Sequence, residues 1–153
     1  MIKTTEKSSS NTHLLNGTIS SMASIIPIPT ELQDSQPHGS KVLFEFGVLI
    51  GFTGGMKGKM LLTGESEVFG AIGEKMFGMP LEGEMLSSFC GELGNMIAGG
   101  MATYLSEQGI VIDITSPTLL EGQTTLTGYE NALQVPVSLE NTGEIKVYLL
   151  QDA

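Results

Sequence analysis

Cysteine occurs once in this 153-residue chain, at Cys90, so no intrachain disulfide framework is open to it. Basic residues are also few. Seven are scattered along the chain without a cluster, against seventeen acidic ones, and the formal net charge is −10. Neutralising a phosphate backbone needs many cations on one face, which argues against nucleic acid and an anionic membrane surface as partners. The longest apolar runs, such as "GVLIGF", are far too short to cross a bilayer. The opening "MIKTTEKSSSNTH" has neither the apolar stretch nor the small-residue cleavage site of a secretory signal. These absences point to a soluble, cytoplasmic protein whose partner is another protein or a small molecule.

What is present is a globular composition, 41% hydrophobic and 16% charged, in a length that suits one domain with a real core. Residues 1–12 are polar and serine-rich, without periodicity, and read as a flexible arm ahead of a domain over 13–153. From Leu14, the positions Leu14, Leu15, Ile19, Met22, Ala23 and Ile26 recur at helical spacing, and the helix must stop before Pro27 and Pro29. "KVLFEFGVLIGF" then places Val42, Phe44, Phe46, Val48, Ile50 and Phe52 on one side of a period-two ladder. "TGG" turns the chain and "MKGKMLLT" returns, which makes a hairpin.

A second helix follows in "ESEVFGAIGEKMFG", with Val68, Phe69, Ile72, Met76 and Phe77 at helical spacing and Gly78 and Pro80 closing it. The longest helix runs from about Glu82 to Gln108, with Gly109 as its stop. "IVIDI" is a short strand, and a loop containing Pro117 leads to a second hairpin, "ALQVPVSL" and "EIKVYLL", turned at "ENTG". Pro136 has no N–H to give a ladder, so its strand lies at an edge or has its free side there. Each half reads helix then hairpin. Antiparallel hairpins beside segregated helices predict an α+β fold, a mainly antiparallel sheet with helices packed against it.

The long helix carries the densest signal. In "GELGNMIAGG" four of ten residues are glycine, each costing roughly 1 kcal/mol against alanine in a helix interior. At 100° per residue, Leu86, Cys90, Leu93, Ile97, Met101 and Tyr104 form one apolar stripe. Ser88, Glu92, Asn95, Gly99 and Ala102 form a second stripe on the far side, flanked by Met96 and Thr103. The glycines have two readings. They clear room around Glu92 and Asn95 for a docking partner, or they let this helix approach its neighbours closely within the fold. Spacing alone does not choose between these.

Other chemistries find little support. Cys90 lies on the apolar stripe and reads as a packed thiol. His13 and His38 have no Cys, His or carboxylate at metal-ligand spacing. No serine has the glycine-flanked elbow of a hydrolase, and "GFTGGMKGKM" lacks the order of a phosphate-binding loop. The nine methionines read as core filler, with Met96 on the exposed stripe open to an adaptable protein contact.

"SFCGELGNMIAGG" resembles the signature helix of the CheC, CheX and FliY phosphatases of bacterial chemotaxis, whose pattern is Asp or Ser, three residues, Glu, two residues, Asn. Ser88, Glu92 and Asn95 match it. The family pattern continues with a proline after about 22 intervening residues, where 21 separate Asn95 from Pro117 here. "GFTGGMKGKMLLTGESE" and "ITSPTLLEG" are similar to CheX as well, and the single Glu and Asn pair favours that branch, since CheC-type members carry two. The resemblance implies a CheC-like single domain that removes phosphate from the aspartyl-phosphate of a CheY-like response regulator. It implies that Asn95 positions the attacking water and Glu92 pairs with the receiver's lysine, with Ser88, Met96 and Gly99 on the contact surface. The chain would need no cofactor of its own, the receiver supplying Mg2+. It further implies a homodimer joined through strands. The alternative is a non-catalytic binding module like the flagellar switch protein FliM, which resembles this fold without the pair.

Overall fold

The computed structural model describes residues 2–152, with side chains from 11 to 152. The chain runs α1 (Ile2–Ile25), β1 (Thr30–Leu32), β2 (Gln36–Pro37), β3 (Val42–Gly54), β4 (Gly58–Gly64), α2 (Ser66–Phe77), α3 (Glu84–Glu107), β5 (Ile112–Ile114), β6 (Thr118–Leu126), β7 (Asn131–Leu139) and β8 (Gly143–Gln151). All strands belong to one antiparallel sheet, ordered β1-β7-β8-β4-β3-β5, with β2 also on β7 and β6 also on β3. The two expected hairpins are β3–β4 and β7–β8, and their second strands, β4 and β8, pair along their lengths in the middle of the sheet. This is the α+β architecture expected.

The helices cover one face of the sheet, where Val48, Ile50, Phe52, Met60, Leu62, Ile145 and Val147 meet Phe69, Ile72, Leu93, Ile97 and Met101 in the main core. A smaller cluster on Val42, Leu61, Tyr148 and Leu150 lies apart from it. The ladder expected on one side of β3 is therefore divided. The pairing with β6 shifts register between Phe44 and Phe46. Phe46, Val48, Ile50 and Phe52 join the helix-side core, while Val42 and Phe44 join the smaller cluster. A bulge of this kind is what moves side chains from one face to the other.

The helix boundaries follow the glycines. Gly78 closes α2 with φ 73°, its N–H donating to the Glu74 carbonyl. Gly109, at φ 83°, ends α3, and the Ile110 N–H reaches back to the Leu105 carbonyl at 2.8 Å. At the other end of the chain, over the stretch expected as a flexible arm, the backbone of residues 2–12 is helical and continues α1. Once a helix is anchored, each added residue closes another hydrogen bond, so a polar stretch extends it. The anchor is Leu14, Gly17, Thr18, Ser21 and Met22, all buried. The expected apolar positions Leu15 and Ile19 are only half-buried, and Ala23 is exposed.

The segments expected as loops hold β1, β2 and β6, short or polar strands on the flanks of the sheet. β7 is not an edge strand, having β8 on one side and β1 and β2 on the other, so of the two arrangements expected for Pro136 it is the free side within the strand that is found. Pro136 stands opposite the break between those two strands, where the Gln33 N–H donates to its carbonyl at 2.9 Å. An edge among the described strands is β6, which pairs with β3 alone.

Candidate functional site

The site is built on α3. Its inner face buries Phe89, Cys90, Leu93, Gly94, Ile97, Ala98, Met101 and Leu105. Of the six positions expected on that stripe, Cys90, Leu93, Ile97 and Met101 are there, while Leu86 and Tyr104 are half-buried. The buried arc is rotated because small residues, not large ones, mark the closest approaches. A Cβ at Gly94 would stand 2.8 Å from both Val48 and Ile50, so this glycine lets α3 lie directly on β3. A Cβ at Gly100 would run into the Ser21 side chain of α1. Ser21 in turn donates from Oγ to the Ile97 carbonyl at 2.8 Å.

Gly91 and Gly99 serve neither contact. A Cβ at Gly91 would meet only Pro117, at an ordinary 3.6 Å, and one at Gly99 would meet nothing within 4 Å. The glycines therefore divide into two groups. Gly94 and Gly100 bring α3 against β3 and α1, and Gly99 leaves the outer surface bare.

On that outer surface Ser88, Glu92, Asn95 and Met96 are all exposed, with Gly99 half-buried beyond them. Glu92 and Asn95 are three residues apart on a regular helix, hence on one face and about 4.5 Å apart along the axis. Both carry hydrogen-bonding groups directed away from the core: an acceptor carboxylate and an amide able to donate and accept. Thr103, further along, turns its hydroxyl back to the Gly99 carbonyl at 3.1 Å, which keeps it out of the open space. Pro117 sits against Gly91, one residue before Glu92. Its loop is tied to β3 by Thr115, which exchanges backbone and side-chain hydrogen bonds with Gly51 at 2.8 Å.

Cys90 is fully buried, and burial, with a smaller contribution from Glu121, pushes its thiol up to about 12. It is a packed side chain and no nucleophile. Among the described residues no three His, Cys, Asp or Glu side chains gather as a metal-binding group. A hollow of about 860 Å³ lies near the start of α2 and is lined by Glu45, Glu65, Glu67, Glu121 and Glu144, away from the α3 face. A smaller groove of about 530 Å³ adjoins that face and takes Ser88 and Glu92 into its wall. It was not anticipated. Its other walls include Phe77, expected inside α2's apolar stripe but 60% exposed, and Met85, which is out of phase with the core of α3.

The family described as chemotaxis phosphatase CheX matches residues 46–140. This chain belongs to the CheX family. A CheX relative from Thermotoga maritima, a CheY-P phosphatase, is 32% identical over 105 residues, covering 66% of this chain and 68% of its own. Solved CheX structures share the fold. The chemotaxis protein CheX from Desulfovibrio desulfuricans superposes with a TM-score of 0.77 at 19% identity, over 92% of this chain and 97% of that one. CheX from Borrelia burgdorferi, solved as a CheX–CheY–BeF3–Mg2+ complex, gives 0.74 at 24% identity, over 92% and 96%. The match to the CheX family spans all of α3, and with it the exposed Ser88, Glu92 and Asn95. No helix among the described residues is long and apolar enough to cross a membrane.

Proposed function

We propose that this CheX family member hydrolyses the aspartyl-phosphate of a CheY-like response regulator. The single observation that carries the reading is the joint exposure of Glu92 and Asn95 on the outward stripe of α3, over a surface that Gly99 leaves bare. Phosphoryl transfer asks for positioning and charge stabilisation more than for a covalent nucleophile, which suits a site made of one carboxylate and one amide. Asn95 holds a water in line with the phosphorus. The water oxygen bonds to phosphorus as the bond to the aspartyl oxygen breaks, releasing inorganic phosphate and a free carboxylate on the receiver. Glu92 pairs with a receiver lysine and sets the angle at which the helix docks. Ser88, Met96 and Gly99 complete the contact surface.

The metal in this reading belongs to the receiver, as Mg2+ beside its phosphoryl group. The Thermotoga relative's name and the CheY-bound Borrelia complex favour this partner. A cytoplasmic setting goes with it. The homodimer belongs to the same proposal, and β6, which pairs with β3 alone, offers a strand for joining two sheets, whereas β7 of the Pro136 hairpin is covered by β1 and β2. Light scattering at micromolar concentration checks the dimer.

The activity is tested by incubating the protein with phosphorylated receiver domains and Mg2+ and following phosphate release. Catalytic loss of phosphate above the receiver's own rate is expected. Tight binding without such loss would instead fit a FliM-like binding module.

A further inference from the structure

Three of the exposed large apolar side chains meet in one place. Phe77 at the end of α2 is 60% exposed, Met79 in the following turn 51%, and Met85 in the first turn of α3 56%. Together they wall the groove of about 530 Å³, with Leu81 and Phe89 buried beneath and Glu84, Ser88 and Glu92 completing its lining. The Phe77 ring stands edge-on to Phe89, with centroids 5.8 Å apart and planes at 88°, so part of the wall is fixed before anything binds. The two methionines are unbranched and polarizable, suited to adapting to a partner's shape. A contiguous apolar surface of this kind, rimmed by charge, marks an interaction site.

We infer that this groove receives an apolar side chain of the phosphorylated receiver, flanked by a basic residue, and so sets how tightly the receiver docks. The inference rests on the proposed function above, since Glu92 belongs both to the groove and to the docking face. A receiver brought onto Glu92 covers the groove one helical turn away. Charge argues for the same occupant. Glu84 and Glu92 on the rim favour a cation beside the inserted side chain, whereas a second copy of this chain, at net charge −10, would bring acid against acid. The groove is therefore separate in role from Asn95: it supplies affinity and selection among receivers, not chemistry.

The test uses the full chain and a CheY-like receiver carrying Mg2+ and beryllofluoride in its phosphorylation site. With the methionine methyls labelled with carbon-13, receiver binding should move the Met79 and Met85 signals and leave those of the buried Met22, Met60 and Met101 in place. In dephosphorylation assays a Met79→Ser/Met85→Ser variant should raise the half-saturating receiver concentration about tenfold, the scale of losing an interface anchor, with kcat within about twofold. Met79→Leu/Met85→Leu should restore wild-type affinity. If the wild type dephosphorylates the receiver while the methyl signals stay still and the serine variant saturates normally, the groove inference is overturned and the phosphatase reading stands. If the signals move but no phosphate is lost, the groove is upheld and the phosphatase reading fails. A serine variant that turns a dimer into a monomer while saturating normally would assign the groove to a second copy and overturn the inference.

Discussion

Gly100 of α3 lies against Ser21 of α1, and the Ser21 hydroxyl, freed to approach by the missing Cβ, donates to the Ile97 carbonyl one turn away at 2.8 Å. This contact and the bare surface at Gly99 are adjacent residues with opposite purposes. Substitution separates them. Gly100→Ala pushes Ser21 away, and Gly94→Ala drives a methyl into Val48 and Ile50, so each should destabilise by about 1–3 kcal/mol. Gly99→Ala meets nothing and should stabilise by about 0.5–1 kcal/mol through helix propensity. Denaturant unfolding of the three variants checks this ordering. Gly99→Leu should keep the fold and lower kcat/KM by crowding the docking face.

The buried thiol makes a pH-dependent prediction. Cys90 ionises near 9 when unfolded and near 12 when folded, so between these values the unfolded chain has lost a proton that the folded one keeps. Stability contributed by Cys90 is therefore intact below pH 9 and falls as pH rises above it. Comparing wild type with Cys90→Ala, the wild type should lose on the order of 1 kcal/mol more between pH 8 and 10. A thiol reagent at pH 8 should leave Cys90 untouched until denaturant is added.

Much of this fold and site is legible in the residues themselves, where one interaction dominates. Strict alternation exposes the two hairpins, and Gly78 and Gly109 announce the helix ends through the left-handed conformation that glycine adopts freely. The Ser88, Glu92 and Asn95 stripe follows from helical phase. What stays hidden depends on neighbours distant in sequence. The register shift at Phe44 and Phe46 and strand β6 come from the pairing of β3 with β6, and the helical start of α1 follows from its buried anchor at Leu14 to Met22. The free side at Pro136 is legible from the missing N–H, but β1 and β2, which pair with β7 around it from far away in sequence, are not. The groove is concealed similarly: Phe77 fits α2's apolar period, yet its side chain is exposed at the end of that helix.

Glu92→Ala probes docking. An exposed carboxylate contributes little to folding, so the variant should melt with the wild type. Removing one member of a charge pair that is desolvated in the complex typically costs about 2–5 kcal/mol of binding. Receiver carrying beryllofluoride should accordingly bind at least about 30-fold more weakly in titration calorimetry, and dephosphorylation should slow most at low receiver concentration.

Asn95→Ala, assayed at saturating phosphorylated receiver, separates the chemical step from docking. Loss of a preorganised hydrogen-bonding group at the reacting water should lower kcat by about 10²–10³, by analogy with deleting an oxyanion-hole donor. Affinity for the beryllofluoride-bound receiver and the melting temperature should stay near wild type, because a neutral exposed amide contributes little to either. A variant that keeps full kcat at saturation would contradict the account, since no water held by Asn95 would then be required for hydrolysis.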